Sequence, residues 1–193
     1  MDLTQGTTEE KTKRAKRMML WFAIISLIMS FAAWTSAFIV SSSRPDWLKG
    51  FQLPDSFVLS TGIIMVSSLS FILAKRSLKK DDRAMTTVWL FVTLFLGIAF
   101  IYNQFLGFQQ IIDQGYNFTG PTSNVTMSYI YLIAMVHILH VVVGLICLLI
   151  VIYNHFKQKY NSSKMLGLEL AATFWHFIDI LWVYLFLFLY FVQ

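Results

Sequence analysis

The chain has little charge, little proline and a single cysteine, and each shortage excludes a class of protein. Only 13% of its 193 residues are charged, about half of the roughly 25% found in soluble domains. Its three prolines leave long stretches free to form uninterrupted helices. Because Cys147 is the only cysteine, no disulfide can form within the chain. These shortages exclude a water-soluble domain and a disulfide-stabilised secreted fold.

Five long apolar runs account for the shortage of charge. None contains lysine or arginine, and Asp179 is the only acid within them. A bilayer-spanning helix needs about 20 apolar residues, whereas barrel strands would alternate in polarity over about 10. The first run is also longer than the usual 7–15-residue apolar core of a signal peptide. The sequence therefore predicts an all-α membrane protein with a polar tail at 1–17 and one five-helix domain at 18–193. The predicted spans are 18–40, 56–74, 85–108, 127–152 and 170–192.

The basic residues are distributed unevenly between the two sides of the predicted bundle. Thirteen of the fifteen lysines and arginines lie in the N-terminal tail and in the second and fourth connections. The positive-inside rule then predicts a cytoplasmic N-terminus and a periplasmic C-terminus. Since these cations border the membrane, the net charge of +5 is explained without a nucleic-acid partner.

Small and polar residues recur at helical spacing in the predicted spans. Ser26 and Ser30 do so in the first run, and Ser60 and Ser67 do so in the second. Such seams allow helices to approach closely in lipid. We interpret them as packing devices, although a transport pathway would use similar seams.

The last run contains an imidazole and a carboxylate in an otherwise apolar segment. Trp175, Asp179 and Trp182 lie at i, i+4 and i+7, which places them on one helix face. His176 is beside that face, and Glu169 lies one heptad before His176. A carboxylate at membrane depth is costly without a partner. The segment is therefore predicted to be a functional or assembly site.

Two further histidines, His137 and His140, lie in the fourth run and raise the question of haem ligation. Histidines three apart on one helix cannot occupy opposite axial positions of a haem. His176 and His140 would differ in depth by roughly 9 Å, at 1.5 Å per residue. We favour a hydrogen-bonded His–Asp–Trp cluster that fixes helix register. Haem or metal ligation and a proton-linked role remain the alternatives.

No common catalytic motif accompanies these residues. The chain has no phosphate loop, no HExxH, no CxxC and no serine nucleophile elbow. Glu169 and Asp179 are ten residues apart on one predicted helix, too far to act as a general acid/base pair. We therefore expect no catalytic residue in this chain, and no cofactor or metal bound by it.

The run from Phe174 to Trp182 resembles the YWHFVDxVW signature of subunit III of haem–copper terminal oxidases. Glu169 corresponds to the family's acid just upstream. Weaker similarities occur in order along the other spans, and the five-span length resembles the short bacterial members. In the fourth span, the run from His137 to Gly144 resembles the family's HGLHVxxG. In the third span, Thr93 to Gly97 together with Gln104 resembles TxxLG…Q. In and before the second span, Leu53-Pro54 and Ser67-Ser68 resemble LP…SS.

The resemblance implies a non-catalytic subunit of a respiratory oxidase in the bacterial plasma membrane. Such a subunit packs on the catalytic subunit I, beside subunit II and smaller subunits, and holds phospholipid. It supports proton uptake and stability, while the haems and copper lie in its partners. Association with a larger respiratory supercomplex stays open. The alternatives are an accessory subunit of a nitric oxide reductase-type complex and, in a different class, an independent b-type cytochrome or a small transporter.

The resemblance also assigns the polar residues of the spans to one intramembrane cluster that serves assembly. One departure from the family concerns the first helix, where Leu27 takes the place of a buried glutamate. Asp179 is thereby left as the only carboxylate within the predicted spans. The predicted cluster consists of Trp175, His176, Asp179, Trp182, His137, His140, Glu169 and Gln104.

Overall fold

The computed structural model describes residues 7–48, 53–118, 120, 123–161 and 164–192, and these form five α-helices. All five are long and apolar enough to cross a membrane. The described ranges contain no strand, only two isolated bridges in loops. The predicted fold class, an all-α bundle of five membrane-spanning helices, is confirmed. The helices are α1 (Thr8–Ser41), α2 (Asp55–Lys79), α3 (Arg83–Asp113), α4 (Val125–Phe156) and α5 (Leu166–Val192).

Polar side chains at the helix ends make the helices longer than the apolar runs. Thr7 and Glu10 form a reciprocal capping box at the start of α1. Residues 8–17, predicted to be a polar tail, therefore extend the first helix. Asp82 caps α3 by accepting from Met85 N, and Asn124 caps α4 by accepting from Thr126 N. Each cap satisfies a backbone donor that would otherwise be free.

The helix order in space places α4 and α5 at the centre of the bundle, since each packs on three other helices. α5 packs against α1, α2 and α4, while α3 lies between α2 and α4. α2 and α3 form a long antiparallel hairpin closed by a tight turn at Asp81, whose φ is 55°. α1 packs only on α4 and α5 among the described helices. Side chains of α4 and α5 therefore reach most of the bundle.

One of these two predicted small-residue seams is buried and the other is exposed. In α2, Ser60 and Ser67 are buried against neighbouring helices, as the packing interpretation requires. In α1, Ser26 and Ser30 are exposed, and the Ser30 hydroxyl only returns to the carbonyl of Ser26. α1 instead buries a row of large residues against α4 and α5. These residues are seven apart in the sequence, namely Ile24, Phe31 and Phe38.

Candidate functional site

Trp175 of α5 is held between two glycines on different helices. A Cβ placed on Gly97 of α3 would lie 2.8 Å from the Trp175 ring and 2.8 Å from Leu145. A Cβ on Gly144 of α4 would lie 3.1 Å from the same ring. The indole Nε1 donates to Ser67 Oγ of α2 at 3.1 Å. One side chain thus joins four helices, and the two glycines provide the space it needs.

Trp182 lies two turns further along α5 and makes a second set of contacts. Its Nε1 donates to Thr61 Oγ1 of α2 at 3.0 Å. Its ring stacks on Phe57 at 6.0 Å between centroids and meets Phe100 edge-on at 5.3 Å. His137 of α4 lies 5.0 Å from it. The indole N–H of each tryptophan therefore donates a hydrogen bond to a hydroxyl of α2, while the rings pack in the interior of the bundle.

His176 and Asp179 both face α2, at the level of Ser68. His176 Nδ1 and Ser68 Oγ form a hydrogen bond of 2.6 Å, and both side chains are half-buried. Asp179 is only 3% exposed. Neither of its carboxyl oxygens has hydrogen-bonding geometry with a described residue. The Ser68 hydroxyl lies beside this carboxyl but outside hydrogen-bonding geometry. Asp179 is thus enclosed by the bundle, beside a hydroxyl that His176 also uses.

This arrangement differs from the expected cluster of mutual hydrogen bonds. The His176, Trp175 and Trp182 side chains do not bond to Asp179 or to one another; each bonds to a hydroxyl of α2 instead. The physical reason is that each indole N–H has a single proton to donate and the bonded His176 nitrogen is engaged by Ser68, so the hydroxyls of α2 use the groups that would otherwise reach Asp179. The residues of the cluster do lie close together, but their hydrogen bonds connect α5 to α2 rather than residues within α5.

His137 and His140 occupy different environments although they are three residues apart. His137 is fully buried against aromatic rings, and neither ring nitrogen has a hydrogen-bond partner among the described residues. His140 Nδ1 forms a 2.7 Å hydrogen bond with the carbonyl of Val136, one turn earlier. Phe31 of α1 meets both imidazoles edge-on. Within the described ranges, no three His, Cys, Asp or Glu side chains converge as a metal site would require.

Gln104 and Glu169 lie apart from the central group. Gln104 is fully buried in α3 and donates from Nε2 to Ser60 Oγ of α2 at 2.9 Å. Glu169 lies at the start of α5 and pairs with Arg17 of α1 at 3.2 Å. The structure therefore brings Trp175, His176, Asp179 and Trp182 together with His137. It places Gln104 on a separate α2–α3 contact and Glu169 at the bundle's end.

The hydroxyl row of α2 is the part of the site that the sequence reasoning missed. Thr61 and Ser68 had no assigned contact, yet they receive Trp182 and His176. Their spacing of seven residues repeats that of Ser60 and Ser67, so the row runs along one helical stripe. The same spacing separates Trp175 from Trp182. Matching these two periods was the available indication that α2 and α5 are bonded partners.

The fold and the site together define a helical membrane subunit whose intramembrane polar residues connect helices. A family model described as Cytochrome c oxidase subunit III matches residues 3–193. The chain belongs to the cytochrome c oxidase subunit III family, which confirms the resemblance first seen in the run from Phe174 to Trp182. It is a multi-pass protein of the bacterial plasma membrane and part of an oxidase complex with other subunits.

Curated relatives from bacteria and from an insect show the same similarity. The chain is 31% identical over 173 residues to cytochrome bo(3) ubiquinol oxidase subunit 3 of Pseudomonas aeruginosa, covering 86% of this chain and 79% of the relative. It is 28% identical over 192 residues to the protein of that name in Buchnera aphidicola subsp. Acyrthosiphon pisum, covering 97% and 92%. Cytochrome c oxidase subunit 3 of Aedes aegypti is 31% identical over 180 residues, covering 86% of this chain but 65% of the relative. The chain thus spans about two thirds of the insect protein.

Proposed function

We propose that this chain is the non-catalytic subunit III of a respiratory haem–copper oxidase that reduces oxygen with electrons from a quinol or from cytochrome c. It packs on the catalytic subunit I, with subunit II and small subunits in the same complex, and supports stability and proton uptake. The haems and copper belong to the partners. The observation that carries this proposal is the seating of Trp175 between Gly97 and Gly144. The family's signature residues are used here to hold helices together.

The orientation belongs to the same proposal. The basic ends of α1 and α2 and the loop between α4 and α5 lie at one end of the bundle, where Lys16, Lys79 and Lys159 line a common pocket. Cytoplasmic loops carry such an excess of cations. We assign this end, and with it the N-terminus, to the cytoplasm. The C-terminus then faces the periplasm because five spans place the termini on opposite sides.

Co-purification tests the proposed function. A tagged chain extracted in mild detergent is expected to bring down a larger membrane subunit that carries haem, identified by mass spectrometry and by its reduced-minus-oxidised spectrum. The haem spectrum is expected to stay with the partner subunit when the chain is stripped away. Recovery of the chain alone with a haem Soret band would contradict the proposal and favour an independent cytochrome.

Asp179→Leu is expected to loosen the complex more than it slows electron transfer. The leucine removes the polar side chain beside Ser68, and this change is expected to disturb the hydrogen bond between Ser68 and His176. The loss of about 1 kcal/mol, typical of one hydrogen bond, predicts roughly fivefold less intact complex. Asp179→Asn is the matched control, since its amide keeps the size and polarity of the side chain beside Ser68. Yield is measured by size-exclusion chromatography, and haem reduction by stopped flow. Full yield of the leucine variant with slowed reduction would contradict this assignment.

Phospholipid binding, expected from the family resemblance, has a candidate location at the cytoplasmic end of α1, α4 and α5. An apolar groove of about 540 Å³ includes Leu20, Val143 and Phe174. It shares Lys16 and Tyr160 with an adjoining pocket of about 530 Å³. Six cations line that second pocket beside two glutamates, namely Lys13, Lys16, Arg17, Lys79, Lys159 and Lys164. We propose that an acyl chain lies in the groove with its anionic head group among the cations.

Removing two of these cations tests the lipid site. The double variant Lys16→Gln/Lys164→Gln should retain roughly thirtyfold less anionic phospholipid, since each lysine contributes about 1 kcal/mol of attraction. Lys80→Gln is the control, because Lys80 is exposed and lies outside both pockets. Lipid is measured by native mass spectrometry of the purified complex. Equal retention in all three proteins would overturn the assignment.

A further inference from the structure

A cleft runs along the bundle between α1 and α2, with α5 as its floor. α1 and α2 both pack on α5, yet their backbones do not come close to each other anywhere in the described helices. Thr173, His176 and Ile180 follow one another on α5 by three and four residues, so they share the face between these two helices. Ile180 is 69% exposed there. A strip of the α5 surface therefore lies exposed in the cleft, where no other helix of the chain covers it.

A polar group lies in the wall of this cleft at membrane depth. His176 is half-buried, and its Nδ1 is used by Ser68. Its Nε2 makes no hydrogen bond with any residue that the structure describes. Ser68 is seven residues, or about 10 Å, along α2 from the basic end at Lys75. Hydrocarbon offers no hydrogen-bonding group, so a free imidazole nitrogen at this depth is costly against lipid tails. A protein partner would remove that cost.

The cytoplasmic mouth of the cleft carries one unmatched positive charge. It is a recess of about 230 Å³ lined by Arg17, Trp21, Lys75, Glu169 and Thr173, among others. Arg17 pairs with Glu169 at 3.2 Å. Lys75 forms no ion pair among the described residues. A partner that fits this mouth would carry a carboxylate near the cytoplasmic surface.

We infer that a transmembrane helix of a neighbouring oxidase subunit lies in the α1–α2 cleft, over Thr173, His176 and Ile180. This helix presents a hydrogen-bonding group to His176 Nε2, about 10 Å from the basic end of the bundle, and a carboxylate to Lys75 at its cytoplasmic end. The inference rests on the proposed function, because it assigns the surface through which the subunit joins its complex. It also explains why the signature run includes a histidine whose ring is left half-exposed by its own chain.

Site-specific photo-cross-linking in intact membranes tests the cleft. p-Benzoyl-phenylalanine replaces Ile180 in one protein and Leu139 in a second. Leu139 is the matched control, because it is an apolar residue 61% exposed on α4, a helix that does not border the cleft. After irradiation, the position 180 protein is expected to yield one adduct with a peptide from a transmembrane helix of another subunit. Position 139 should yield lipid adducts or a different peptide.

Two outcomes would overturn the inference while leaving the proposed function intact. One is a complex that co-purifies normally but shows only lipid adducts at position 180. The other is the same helix cross-linked at 139 and not at 180.

Charge reversal supplies an independent measurement. Lys75→Glu should reduce retention of the chain in the complex by about tenfold, and Lys80→Glu should not. Equal retention of the two variants would also contradict the inference. If no complex is recovered with the unmodified chain, the proposed function itself fails.

Discussion

Trp175→Ala is expected to lower the free energy of unfolding by about 3 kcal/mol, the lower end of the range for removing a large core aromatic side chain. The lower end applies because lipid is as apolar as the bundle interior, so the loss comes from packing contacts rather than from transfer out of water. Trp175 is 1% exposed and meets Gly97 and Gly144 on two other helices. No neighbour can fill its place without moving a helix.

Two companion variants calibrate the result at this position. Trp175→Phe keeps an aromatic ring but loses the bond to Ser67, worth about 1 kcal/mol, and the outer indole atoms that lie against Gly97, so its cost should fall between about 1 kcal/mol and that of Trp175→Ala. Phe191→Ala removes an aromatic side chain that is 76% exposed, and it should change stability little. Unfolding is followed by far-ultraviolet circular dichroism in mixed micelles with increasing dodecyl sulfate. Similar losses for Trp175→Ala and Phe191→Ala would show that the glycine seat is not a determinant of stability.

Gly97→Leu is expected to destabilise the bundle by about 3 kcal/mol, the upper end of the range for overpacking. Even the first added atom would lie 2.8 Å from both Trp175 and Leu145. The larger side chain would therefore separate α3 from α4 and α5. The measurement is the same unfolding experiment, with the yield of assembled oxidase as a second readout.

Gly62→Leu is the matched control for this second prediction. Gly62 also lies within a membrane-spanning helix, but a Cβ there would have no atom within 4 Å. It should be neutral or stabilise the helix by up to about 1 kcal/mol, since glycine is a poor helix former. If Gly62→Leu lowered the free energy of unfolding as much as Gly97→Leu, the effect would come from placing leucine in a helix rather than from crowding Trp175.

Some features could be predicted because they depend on residues close together in the chain. Hydropathy predicted all five helices, and the run from Phe174 to Trp182 indicated the family. The start of α1 was missed, although Thr7 and Glu10 carry the pattern of a capping box. The error came from using apolar length to bound a helix. Polar residues outside the membrane continue the same helix when a cap satisfies its first donors.

The partners of the signature residues could not be predicted in the same way. Asp179 was expected to bond within its cluster, but its carboxyl faces Ser68 of α2, about 110 residues earlier in the sequence. Likewise, the exposed seam at Ser26 and Ser30 has the same local pattern as the buried seam of α2. Which seam is buried depends on how each helix is rotated about its axis. That rotation is set by contacts with other helices.

The sequence by itself determined the membrane class of the protein, its number of spans and its family, because each follows from local composition or a short motif. Only the tertiary structure decided what the motif does. It placed Trp175 between Gly97 and Gly144, and it directed His176 to α2 at the edge of an open cleft. The physical reason is that a helix presents its side chains in every direction. Helix packing alone decides which direction meets a glycine, which meets a hydroxyl and which is left for a partner.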